Sequence, residues 1–172
     1  MAAAVDAKFH CMLEVEETLE LSLNFPTDPT FTHVINLATA VIKGTLNASS
    51  TVPATKVFSD NLVLAGGDQT LDLTALTGAA STTVNFTDLK VQLVALAAST
   101  SNATAVTVTG GAANPYNILG ETNATSDKIS IPPGGSLVLY HHDGTEDVSG
   151  TKKNVRFQGG VNENINIILV AG

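Results

Sequence analysis

The chain has 172 residues, a single cysteine and a net charge of −8, from 16 acidic side chains against 8 basic ones. That length suits one domain with a core of its own. The lone thiol excludes an internal disulfide and fits synthesis in a reducing compartment, and the acidic balance disfavours nucleic acid and anionic membranes as partners.

Only 14% of residues are charged while 44% are apolar, so Thr, Ser and Asn stand where a globular surface usually carries charge. That composition suits a Thr-rich β protein and equally a chain packed against neighbouring subunits. Met1–Val5 lacks the basic start and apolar core of a signal peptide. No apolar run approaches the roughly eighteen residues that a bilayer span needs. The expectation is a chain made in the cytoplasm that stays soluble, with no membrane partner.

Residues 1–10 are Ala-rich and aperiodic and read as an N-terminal arm or a short helical turn, with one domain expected over 11–172. Cys11 adjoins Met12 and Leu13 at a strand start, the setting of a packed thiol rather than a nucleophile. From there Leu13, Val15, Leu19, Leu21, Leu23 and Phe25 take odd positions and Glu14, Glu16, Thr18, Glu20, Ser22 and Asn24 even ones, the period of strands. Glu17 breaks the alternation and marks a bulge or a turn. Pro26-Thr27-Asp28-Pro29 is a turn, because both prolines fix φ and remove ladder donors.

Strands are expected over 31–37 and 40–46, then over 57–65 after the Thr/Ser-rich loop 47–53. Gly66-Gly67 turns that strand into Leu71-Asp72-Leu73-Thr74-Ala75, a hairpin in which Leu71, Leu73 and Ala75 share a face. Phe86 and Thr87 lead into a central strand, with Leu89, Val91, Leu93 and Ala95 on one face and Lys90 and Gln92 on the other. Further strands are expected over 103–109, 128–131, 137–140, 155–158 and 165–171, separated by Gly110-Gly111, an irregular segment 114–126, Pro132-Pro133-Gly134-Gly135, Asp143-Gly144 and Gly159-Gly160. The last strand has Asn164 and Asn166 on the same face as Ile168 and Val170, so its apolar end must be covered on both sides. Short strands, turns of this kind and no helical stretch indicate an all-β fold, an antiparallel β-sandwich of about ten strands.

No catalytic motif appears. His141-His142-Asp143 is the one local cluster with metal-ligand chemistry, but neighbours on a strand point to opposite faces and cannot easily share one ion. Asp143, Glu146 and Asp147 form an acidic loop without the spacing of a calcium motif; a solvated turn is the simpler reading, and calcium stays open. Asp60, Asp68 and Asp72 lie close in sequence, a spacing that solvated turn and strand acids explain as well as a hydrolase pair does.

Gly66-Gly67 and Gly110-Gly111 lack the Lys-Ser/Thr of a phosphate loop. Asn47, Asn85, Asn102 and Asn123 sit in Asn-x-Ser/Thr sequons that chance accounts for in a Thr-rich chain. A carbohydrate-binding module is the natural rival for an acidic sandwich, though Tyr116 and Tyr140 are the only tyrosines and there is no Trp to stack on a sugar. The expected catalytic, cofactor-binding and metal residues are therefore none.

Leu71-Asp72-Leu73-Thr74, Val84-Asn85-Phe86-Thr87-Asp88-Leu89-Lys90-Val91, Ile131-Pro132-Pro133-Gly134-Gly135-Ser136 and a final apolar strand ending on Gly172 resemble the small virion proteins of tailed bacteriophages, in particular the capsid decoration (cement) proteins. The likeness covers 57–172. It implies a jelly-roll-like sandwich, and a non-enzymatic structural protein on the outer surface of a phage shell. The major capsid protein would be its partner, and the chain would form a homo-oligomer, commonly a dimer or trimer, located in the virion after synthesis in the host cytoplasm. A phage tail or collar component is the alternative within the virion, and a carbohydrate-binding module or a glycan hydrolase the alternative outside it.

Overall fold

The structure, a computed structural model, describes residues 5–11, 14–20, 30–36, 42–78, 81–119 and 127–172. These residues are all-β, with fourteen strands and no α-helix. No helix among them is long and apolar enough to cross a membrane. The chain divides into two compact units, Ala7–Thr45 and the larger Leu46–Gly172 together with Met1–Asp6.

The smaller unit contains β1 (Asp6–Cys11), β2 (Glu14–Glu20), β3 (Thr30–Asn36) and β4 (Ile42–Asn47), whose last residues enter the larger unit. β2 and β3 form one antiparallel ribbon in unbroken register, from Glu14 opposite Asn36 to Glu20 opposite Thr30. β1 and β4 form a second two-stranded sheet.

Three expectations change here. The arm is a strand from Asp6 rather than a helical turn. Glu17 makes neither bulge nor turn but stays in register opposite His33, within a ladder that runs unbroken from Glu14 to Glu20. The sandwich does not run over 11–172, since β2 and β3 pair only with each other and join neither of its sheets. Leu21, Leu23, Phe25 and the Pro26–Pro29 turn lie outside the described residues.

The larger unit is the sandwich. Its long strands are β5 (Lys56–Leu64) and β6 (Asp68–Asp72), then, after the short hairpin β7 (Leu76–Thr77) and β8 (Thr83–Val84), β9 (Val91–Ala98), β10 (Val106–Gly110), β11 (Lys128–Ile131), β12 (Ser136–Tyr140), β13 (Asn154–Gln158) and β14 (Glu163–Ala171). They form two four-stranded sheets, β12-β9-β14-β5 and β11-β10-β13-β6. β5 pairs antiparallel with β14, β6 with β13, β9 with β12 and β10 with β11. First with last and so inward is one long hairpin folded over into two layers, the strand order of a jelly roll.

Alternation then decides what is buried. Phe58, Leu62 and Leu64 of β5, Val94 and Leu96 of β9, and Ile165, Ile167 and Leu169 of β14 meet Val106, Val108, Val155 and Phe157 of the other sheet in one core. Each such side chain contributes about 1.5–3 kcal/mol.

Gly66-Gly67 joins strands of different sheets and so is not a hairpin turn. Gly67 has φ +79° and its Cβ position lies 3.0 Å from the Gly159 carbonyl oxygen, so only glycine fits without strain. β6 stops at Asp72 rather than running to Ala75. The Asp72 carboxylate accepts from the Thr74 amide at 2.9 Å, and the Asp72 carbonyl accepts from Ala75 at 3.0 Å, which closes a turn.

In β9 the register slips against β14, where Val170 faces Leu93 but Ala171 faces Val91. The extra residue is Gln92, and the bulge turns Val91 inward. Val91 and Leu93 therefore lie on opposite faces, and Gln92, expected on a half-exposed face, is fully buried.

Candidate functional site

The two outer surfaces of the sandwich differ in chemistry. On the sheet β11-β10-β13-β6 the outward positions are polar and ionised. Arg156 Nε donates to both oxygens of Asp68 at 2.9 Å, and Lys153 Nζ stands 2.6 Å from Asp72 Oδ2. On the sheet β12-β9-β14-β5 the outward positions of all four strands include no Asp, Glu, Lys or Arg. Val138, Ala95 and Ile168 are in direct register there, and Tyr140, Leu93, Val170 and Val57 form the next row.

One end of this uncharged face is closed by the chain itself. The segment 46–55 runs across it as a strap. Thr51 Oγ1 lies 3.5 Å from His142 Nε2, the Val52 carbonyl accepts from Gln92 Nε2 at 2.8 Å, and the Thr55 amide donates to the Ala171 carbonyl at 2.9 Å. Leu46, Ala54, Leu93 and Val170 are buried, yet none belongs to the main core. They form a small second core under the strap. Beyond the strap the face is open: Val138 is 48% exposed and Ile168 45%.

The residues singled out in the sequence do not converge. His141 and His142 take different environments. His141 is half-buried beside a cleft of about 360 Å³ with Asn117, Thr145 and Glu146, its Nε2 has no hydrogen-bond partner, and burial lowers its pKa. His142 is exposed and meets Tyr140 through Nδ1 at 3.2 Å.

In the acidic loop Glu146 is already engaged, accepting from the Asn117 amide at 3.0 Å and pairing with Lys152 at 2.5 Å. Among the described residues no three His, Cys, Asp or Glu groups are placed to hold a metal ion.

Asp60 has the inward parity of Phe58 and Leu62 but is exposed, because β5 edges its sheet. An inward charge on an edge strand obstructs the addition of another strand. Asp68 and Asp72 lie on the opposite sheet, each with its own cation.

Tyr116 is fully buried, with its hydroxyl accepting from the Val91 amide and donating to the Glu146 carbonyl, so it offers no ring for a sugar. Burial raises its pKa above the ordinary tyrosine value. Asn102 is buried and exchanges two hydrogen bonds with the Asn164 backbone, at 2.9 and 2.8 Å, which bars modification in the folded chain. Asn47 and Asn85 each accept from an amide two residues on. Asn123 is outside the described residues, as is the Cys11 side chain.

Sequence reasoning missed Glu163, a carboxylate only 4% exposed that takes hydrogen bonds from Ala103 and Thr104. It also missed the strap, whose residues carry no periodic signal.

The acids of the charged face give a pH dependence. Arg156 lowers the Asp68 pKa through its hydrogen bonds and its charge, against the opposing effect of burial. At Asp72 burial is the largest single influence and pushes upward, but the hydrogen bonds from Lys153 and Thr74 outweigh it, and the net shift is also downward. Both folded values lie below the ordinary 3.8. Their stabilisation is therefore complete above that value and is lost as pH falls through the lowered ones. Melting temperatures measured from pH 6 downward should drop below about pH 4, with a shallower fall in the Asp68→Asn/Asp72→Asn double variant. Equal slopes for the two proteins would show that these pairs carry no linkage.

No known protein family, curated protein or solved structure matches the chain.

Proposed function

We propose that this chain is a structural protein of a phage virion. In this reading it is a decoration or cement protein held on the outer surface of the shell, next to the major capsid protein and to copies of itself, and it performs no chemistry. The observation that supports this is the contrast between the two outer faces of the sandwich. A domain living free in water carries charge on both faces. Here the outward positions of one sheet are ionised, while those of the other present Val138, Ala95 and Ile168 with no ion among them. Uncharged apolar surface of this kind belongs to subunit contacts.

Particles stripped of the protein provide the test. Purified chain should co-sediment with them and raise the temperature at which they open. A chain that neither rebinds nor self-associates, and is instead retained on a glycan column, overturns the reading in favour of a carbohydrate-binding module.

A further inference from the structure

We propose that the turn leaving β12, His141-His142-Asp143-Gly144, is an acid-sensitive latch, released from the body of the sandwich when His141 takes up a proton. The inference goes beyond the assembly reading and does not depend on it.

The turn is tied down lightly at one end and firmly at the other. The His141 amide donates to the Gln92 carbonyl at 2.8 Å, and the Gly144 amide closes the turn on the His141 carbonyl at 3.0 Å. Beyond Gly144 the chain is fixed. The Thr145 amide donates to the Val91 carbonyl at 3.0 Å and the Val148 amide to that of Leu89 at 2.9 Å. The buried Tyr116 hydroxyl adds a bond to the Glu146 carbonyl at 2.8 Å. Gly144, with φ +74°, stands between the two parts and has the backbone freedom of a hinge.

What seats the turn is the His141 ring. The ring is half-buried, and its Nε2 is closed off from water with no hydrogen-bond partner among the described residues. A neutral imidazole tolerates that seat, because the atom can remain a bare acceptor. An imidazolium is a donor at both nitrogens, so proton uptake leaves a charged N–H buried without an acceptor.

The surroundings offer no relief. Glu146, the carboxylate in the same cleft, is taken by the Asn117 amide at 3.0 Å and by Lys152 at 2.5 Å. His142, Asp143 and Asp147 are exposed, and the Lys90 side chain packs on Gly144. The segment 114–119 and the strap carry no charged side chain. Burial is accordingly the one influence on His141, and it lowers the pKa from 6.5. Swinging the turn into water removes the conflict.

The direction of the effect follows from linkage. A base held neutral by burial binds its proton more weakly in place than when released. The latch is therefore fully closed above 6.5 and loosens as pH falls from that value towards the lowered one. The turn also carries His142, whose Nε2 stands 3.5 Å from Thr51 Oγ1 of the strap, and its anchor Gln92 holds the Val52 carbonyl at 2.8 Å. One imidazole is thus linked to the strap that covers Leu93 and Val170.

Native-state hydrogen exchange on the full chain at roughly pH 7.5 and pH 5.5, expressed as protection factors, is the test. Protection of the His141 amide should fall by about threefold or more on acidification, while the Thr145 and Val148 amides keep theirs. His141→Gln should abolish the response, and His142→Gln should leave it in place. A His141 amide indifferent to pH overturns the latch. So does an equal loss at Thr145 and Val148, or a response that survives in His141→Gln. Should that variant fail to fold, the His141 ring of the unaltered chain decides, followed by NMR: proton uptake below 6.5 upholds the latch, and uptake at or above it overturns it.

Discussion

Val170→Asp is expected to unfold the sandwich, with a loss of about 4 kcal/mol or more, whereas Ile168→Asp, two residues away on the same face, should leave the fold intact at a cost below about 1 kcal/mol. Both side chains leave β14 on its outward side, and the difference lies in what covers them. Val170 is 1% exposed, lies opposite Leu93 in register and is closed over by the strap that brings Leu46 and Ala54 onto the face. The strap carries no cation, and Lys56, the one cation on the neighbouring strands, takes the opposite face of β5 with its Nζ on the Asn85 carbonyl, so the carboxylate must be buried unpaired or lift the strap. A domain is stable by only about 5–15 kcal/mol, and either course takes much of that. Ile168 is 45% exposed and its aspartate stays hydrated. Asn164→Asp should also be tolerated, since its backbone, not its side chain, bonds Asn102, and its amide makes only one further hydrogen bond, to Asn162. Thermal melts of the three variants give the comparison. A folded Val170→Asp with a near-normal transition would mean that the strap opens at little cost.

What the sequence made legible follows from which interactions are local. Alternation and turn residues placed β11 to β14 within a residue or two, because the period of two and the Pro-Pro-Gly-Gly turn are written in consecutive residues. The cover expected for the doubly apolar end of β14 is met only in part: Val170 is covered, by the chain's own strap, whereas Ile168 on the same face is open. Partnership was hidden. Val15, Leu19 and the glutamates read as a sandwich strand, yet β2 pairs only with β3, and nothing within the strand specifies which edge it will meet. Parity failed in β9 because one extra residue at Gln92 reverses every face beyond it, and a bulge in a strand is decided by the partner's register. The uncharged face itself became visible only when Val138, Ala95 and Ile168, far apart in sequence, were brought into one row.

Glu163→Gln is expected to cost about 2–3 kcal/mol although it changes neither size nor shape. Glu163 opens β14 and is buried beside the loop that leads into β10. Its carboxylate accepts from the Ala103 amide at 2.9 and 3.1 Å and, through Oε1, from the Thr104 amide at 2.9 Å and hydroxyl at 3.1 Å. Thr104 Oγ1 in turn accepts from the Gly160 amide at 3.0 Å, so one carboxylate ties the turn before β14 to the loop before β10. An amide in its place brings an NH₂ against groups that are all donors, and the negative charge that strengthened those bonds is gone. Asn102 and Asn164 hold the same loop one residue along, which limits the damage to that end of the sandwich and argues against global unfolding. Urea denaturation of the variant should show the lower midpoint with an unchanged slope, and hydrogen exchange should accelerate first at Ala103 and Thr104. A Glu163→Gln protein with the original midpoint and the original protection at those two amides would mean that water replaces the carboxylate without loss, and that the connection between the two sheets at this end is held by Asn102 alone.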